Sequence, residues 1–291
     1  MGRTLLSIAT TLPEIIIVFY ASKMLLYDFA LGSALGSNIL MMSLGLSIMV
    51  LIATTKLSKK PVNEINVEGF RTDMIFLILT AIAAVAMFID GYSIIDGFIF
   101  LGFFIAYVAF AFYETRKGKN IEIEKKPFTL VSGGKAIIFF IIGTLGTFLC
   151  AEPFIHSIEK FAGGIGVTTA VIAVMLSPLA GEMPEKISVM MLARRGKRGV
   201  SISIANVLGS KVLNNTLLLS IMIFGATLFH GLDTVINPNG LLRFQVYWTG
   251  IITILAVSLM FDRKLTLSDG VSLSILYVAS IGLQFVLLGF I

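Results

Sequence analysis

Along the chain, apolar runs of about twenty residues alternate with short polar stretches, the length and pattern of helices that cross a bilayer. The runs fall near 4–22, 28–54, 72–90, 94–113, 134–157, 166–192, 200–229, 242–261 and 268–291. They predict nine spanning helices. Their length and Gly-rich interiors exclude a transmembrane barrel, whose strands would read as alternating segments of about ten residues. The expected fold class is an all-α polytopic membrane protein.

Some runs hold polar residues that a simple span does not need. The sequence from Val174 to Leu219 places Glu182 and Glu185 in one apolar run and Asn206, Ser210, Lys211 and Asn214 in the next. The same pattern occurs near the N-terminus. SIATTLPEIIIV from Ser7 lies over PLAGEMPEKISV from Pro178, so that Ala9 meets Ala180, Pro13 meets Pro184 and Glu14 meets Glu185. After the loop, Leu35-Gly36-Ser37 meets Leu208-Gly209-Ser210. The loop between the paired helices is basic in the second copy (Arg194, Arg195, Lys197, Arg198) and nearly neutral in the first (Lys23, Asp28), so the copies point opposite ways. Inverted-topology repeats with broken helices meeting at a midplane ion site are the pattern of secondary transporters. The expected organisation is a first repeat over 1–113, a linker over 114–135 and a second repeat over 136–291.

A carboxylate at bilayer depth costs roughly 2.5 to 3.5 kcal/mol and is tolerated when it faces the bundle interior with a partner. Glu182 and Glu185 share a helix face, and Asn206, Ser210 and Asn214, four apart, share a face of the next helix. Pro184 lacks the N–H that would reach Ala180, which is expected to break the helix and free carbonyl oxygens near Pro178 and Ala180. Carboxylate, amide, hydroxyl and carbonyl oxygens together suit a hard cation such as calcium. Lys211, deep in its helix, is expected to pair with Glu182 or Glu185, and Lys186 to snorkel to the nearer helix end.

Composition agrees with a membrane protein: 57% of the 291 residues are hydrophobic and 13% charged. A net charge of +5 would suggest nucleic acid in a soluble protein. Here, however, 17 of the 22 Lys and Arg lie at Arg3 and in the alternate loops 55–71, 114–135, 193–199 and 262–267. The positive-inside rule explains them, excludes a nucleic-acid partner, and places the C-terminus outside the cell membrane. The single Cys150 reads as a small core residue. The first twenty residues lack a signal-peptide pattern, and no nucleophile–base or H-E-x-x-H motif points to an enzyme. No cofactor is expected, and the partners are membrane lipid and inorganic cations.

On these residues the chain resembles the cation/calcium antiporter superfamily, whose repeats carry G-T-S-L-P-E-like and G-S-N motifs. The motifs read here as Ala9-Thr10-Thr11-Leu12-Pro13-Glu14 with Gly36-Ser37-Asn38, and Ala180-Gly181-Glu182-Met183-Pro184-Glu185 with Gly209-Ser210-Lys211. The resemblance implies exchange of calcium for sodium or protons by alternating access in a prokaryotic cell membrane. It implies Glu14 and Glu185 as central ligands, with Thr10, Thr11, Ser37 and Ser210 beside them and the carbonyls of Ser7 and Pro178 one turn back. Four departures stand out: Met41 where the second repeat has Asn214, Gly181-Glu182 where the family has Thr-Ser, Lys211 for Asn, and a first family helix expected to be missing. The alternative is a cation channel or a non-transporting remnant of an exchanger.

Overall fold

The computed structural model describes residues 2–116 and 130–288. The first apolar run forms α1 (Gly2–Lys23), and the second forms α2 (Tyr27–Leu40) and α3 (Leu46–Thr54), joined by a π-helical turn over Met41–Gly45. Next come α4 (Arg71–Met87), α5 (Ile94–Arg116) and the long α6 (Leu130–Gly164). In the second half, α7 (Thr169–Gly181) and α8 (Met183–Ala193) share one run. The following run forms α9 (Lys197–Leu213) and α10 (Leu219–His230), with a second π-helical turn over Asn214–Leu218 between them. The chain ends in α11 (Gly240–Ser258) and α12 (Leu267–Leu288). The expected runs thus appear as helices. Among the described residues, seven helical runs are long and apolar enough to cross a membrane, with α2–α3 and α9–α10 each counted as one run; α1 and the interrupted α7–α8 complete the nine. Helices α5 and α6 reach into both ends of the stretch read as a linker, and 117–129 lies outside the described residues.

The two halves pack crosswise. Helix α1 lies against α9 and α10 of the other half, and α7 lies against α2. The motif glycines permit both approaches. A Cβ on Gly36 of α2 would fall 2.1 Å from the Val174 carbonyl oxygen of α7, and one on Gly209 of α9 would fall 2.6 Å from Ser7 Oγ of α1. Close backbone approach at small residues drives association where lipid removes the hydrophobic incentive.

The loops repeat the same inversion. Strands β1 (Ile65–Asn66) and β2 (Lys264–Leu265) pair antiparallel, joining the loop after α3 to the loop before α12. Between α4 and α5, Tyr92 exchanges two backbone hydrogen bonds with Ile236, which precedes α11 (3.1 and 2.9 Å). Each bridge joins one repeat to the other, and an inverted two-fold exchanges the two.

Candidate cation site

The motif residues converge where α1, α2, α7, α8 and α9 meet. Residues Ser7, Thr11, Glu14, Ser37, Glu182, Glu185, Ser210, Lys211 and Asn214 are all buried. Helix α1 runs unbroken through Pro13, whereas its counterpart stops at Glu182, which leaves helical geometry (φ −96°, ψ 7°) between α7 and α8. The local sequence accounts for the difference. In α1 the residues before Leu12-Pro13 are threonines whose hydroxyls donate back to the Ser7 carbonyl (Thr10 at 3.1 Å, Thr11 at 2.8 Å). The second repeat has Gly181 where the first has Thr10, and glycine weakens a helix by about 1 kcal/mol relative to alanine. The break therefore falls two residues before Pro184, which sits in the first turn of α8 where proline is tolerated.

The three carboxylates have different surroundings. Glu185, in the first turn of α8 near its positive dipole end, accepts from Ser210 Oγ (2.7 Å) and Asn206 Nδ2 (3.2 Å). Glu182 accepts from Ser37 Oγ and forms an ion pair with Lys211 Nζ. Lys211 Nζ also donates to Ser37 Oγ (2.7 Å). With its amide oriented to satisfy both ends, Asn214 accepts from Lys211 Nζ (3.2 Å), donates to the Ser210 carbonyl (3.2 Å) and places its oxygen 2.6 Å from Ser37 Oγ, whose single proton serves either Glu182 or Asn214. Glu14 differs from both. Neither of its carboxylate oxygens has a hydrogen-bond partner, and Glu182 Oε2 has none. Glu14 Oε1 faces the backbone of Gly181, 3.1 Å from where a Cβ would stand.

The expected pairing of Lys211 is thus realised with Glu182. Lys186 does not snorkel: its ammonium donates to the Pro178 carbonyl (2.5 Å), which also accepts from the Glu182 N–H (3.2 Å). Helical side chains lean toward the N-terminus of their helix, which carries Lys186 back over the break and away from the far end of α8. The Ser7 and Pro178 carbonyls, named by resemblance, already accept from side chains of this chain. Cys150 is exposed, not a core residue. Sequence reasoning missed the outer polar layer. Asn38 donates to Asn215, which donates to Thr80 (3.5 Å), and the hydroxyls of Ser33 and Ser177 meet at 2.6 Å. Asn38 was visible as the motif Asn; Asn215 and Thr80 carry no motif. A buried carboxylate on α4, Asp73, accepts from Tyr107 of α5 (2.7 Å).

An all-α fold of two inverted repeats enclosing buried carboxylates at a helix break defines the class as an integral membrane protein of the secondary-transporter type. The sodium/calcium exchanger protein family model matches residues 1–113 and 135–286, and the chain belongs to that family. An uncharacterized membrane protein of Methanocaldococcus jannaschii, MJ0091, is 30% identical over 217 residues, 73% of this chain and 66% of that protein. The sodium/calcium exchanger NCL2 of rice is 29% identical over 90 residues, 31% of this chain and 16% of its own length. Among solved structures, the fold is similar to the H+/Ca2+ exchanger CAX (TM-score 0.81, 19% identity, 99% of this chain and 77% of that one). It is also similar to the sodium-calcium exchanger NCX_Mj (TM-score 0.68, 26% identity, 97% and 85%).

Proposed function

We propose that this protein is a secondary active antiporter that moves calcium, or a cation of similar chemistry, outward in exchange for sodium or protons. The observation that carries the reading is Glu14: a buried carboxylate, both oxygens without a partner, facing the break in the opposite repeat. An unpaired carboxylate deep in a bundle is costly unless a cation meets it. The proposed ligands are Glu14 and Glu185 with Glu182 and Asn214. The hydroxyls of Thr10, Thr11, Ser37 and Ser210 and the carbonyls of Ser7 and Pro178 complete the oxygen-rich surroundings. Such all-oxygen sets suit calcium. The C-terminal end of α7 carries the negative end of its helix dipole toward the break.

Names carried by relatives and by similar structures, both Na+/Ca2+ and H+/Ca2+ exchangers, support the same substrate class. Inverted repeats around one site supply the two access states, since a pseudo-two-fold rotation about an axis in the membrane plane turns each state into the other. The repeats take the boundaries 1–113 and 136–291, and the protein sits in the cell membrane. The test is calcium flux into proteoliposomes under an imposed sodium or proton gradient. Gradient-driven flux lost in Glu14→Gln and in Glu185→Gln is expected. Flux that persists without any counter-ion would instead indicate a channel.

A further inference from the structure

Lys211 is a fully buried ammonium that a cation-binding site does not need. Its nitrogen meets three oxygens: Glu182 Oε1, Ser37 Oγ and Asn214 Oδ1. An ammonium has three protons to give, so this set satisfies it completely. Those three oxygens come from α2, from the α7–α8 break and from the start of the second π-helical turn. They form a carboxylate, hydroxyl and amide pocket that would suit a small monovalent cation if the lysine were absent. The repeat overlay shows what it replaces, because the equivalent position in the first repeat is Asn38, a neutral side chain that bonds to Asn215.

We infer that the Lys211 ammonium is a tethered cation standing where a mobile sodium ion would otherwise bind, so that calcium binding and exchange by this chain do not use sodium. The inference rests on the antiport reading above and selects among its counter-ions. The cluster then divides in two. One part of the ligand set proposed above, Glu182 Oε1 with Ser37 and Asn214, is permanently filled by Lys211 and withdrawn from the transported ion. The other, Glu14, Glu182 Oε2 and Glu185, receives the transported ion. The carboxylates and Lys211 act on one another electrostatically. Three carboxylates against the ammoniums of Lys211 and of Lys186, which sits on the Pro178 carbonyl, leave the site net negative toward a cation.

The experiment is equilibrium binding of radiolabelled calcium to the purified protein, with sodium exchanged for N-methylglucamine at constant ionic strength and potassium as control. In the wild type, calcium affinity is expected to be the same in all three. In Lys211→Asn, which restores the first-repeat residue, sodium alone is expected to shift calcium affinity, by about fivefold or more as coupled ligands do. A general electrostatic role for Lys211 would change calcium affinity equally in all three media. The wild-type measurement needs no variant: if sodium weakens its calcium binding more than potassium does, the inference falls while the antiport reading stands. A folded Lys211→Asn protein that ignores sodium overturns it too. Should the single variant fail to fold with Glu182 unpaired, Lys211→Asn/Glu182→Gln keeps the cluster's charge, and sodium sensitivity is expected there as well. Wild-type protein that binds no calcium, like Glu185→Gln, would remove the antiport reading itself, and this inference with it.

Discussion

Glu182 and Lys211 are two departures from repeat symmetry that amount to one change. The first repeat has Thr11 and Asn38 at these positions, both neutral, and the second has a carboxylate and an ammonium in contact. Each charge alone would be stranded in the bundle, whereas together they cancel. Removing one partner of a buried pair typically costs about 3–5 kcal/mol, while replacing both is often nearly neutral. Glu182→Gln is therefore expected to lower the thermal midpoint in detergent sharply, and Glu182→Gln/Lys211→Asn to recover most of the loss. Additive losses in that double-mutant cycle would show that the two side chains do not depend on each other. The pair was legible in the sequence because depth alone forbids an unpaired lysine. Lys186 was misread because its distance from the helix end was weighed without the backward lean of helical side chains, which directs it to the Pro178 carbonyl.

Helix boundaries were legible for the same reason that runs of polar residues are: each marks a place where the chain leaves lipid. The internal geometry of the helices was not. Two π-helical turns begin at Met41 and Asn214, each one helical turn past its motif serine, Ser37 or Ser210. No residue pattern announces a π turn, although such turns gather at functional sites. These two widen the helices beside the cluster at symmetric places, and Asn214 at the start of one supplies an oxygen to Lys211. The break at Glu182 was expected from Pro184, and Gly181 just before it weakens the helix further. Gly181→Ala would place a methyl 3.1 Å from Glu14 Oε1, the tip of a flexible side chain, so the fold should hold while the carboxylate shifts. Calcium affinity measured by binding is expected to fall with the thermal midpoint unchanged. Gly36→Ala is the contrasting case, because its methyl would meet backbone, the Val174 carbonyl oxygen at 2.1 Å, and α2 and α7 would have to separate. Overpacking of this kind costs roughly 1–3 kcal/mol or more, so lost thermal stability is expected, with Gly282→Ala, whose methyl meets nothing within 4 Å, as control.

On the scale of the whole molecule, inversion is written into both the site and the loops. The β1–β2 pair ties the loop after α3 to the loop before α12, and the Tyr92–Ile236 bridge ties the loop after α4 to the loop before α11. An inverted repeat requires these ties to lie on opposite faces of the membrane, since the helices between them cross it. The basic residues then fix which face is which. Lys56, Lys59, Lys60, Arg263 and Lys264 flank the β1–β2 pair, whereas the Tyr92–Ile236 side carries Asp90, Asp96 and Asp233. Positive charge stays on the cytoplasmic side, so the strand pair is expected inside and the Tyr92 bridge outside. Single cysteines test this in intact cells, in a Cys150→Ser background because Cys150 is exposed. Lys60→Cys and Asn237→Cys both lie at exposed positions, one beside each tie. A membrane-impermeant thiol reagent is expected to label Asn237→Cys in whole cells and Lys60→Cys only after the membrane is opened. The reverse labelling would invert the protein's orientation in the membrane, and labelling of both from one side would contradict the inverted repeat itself.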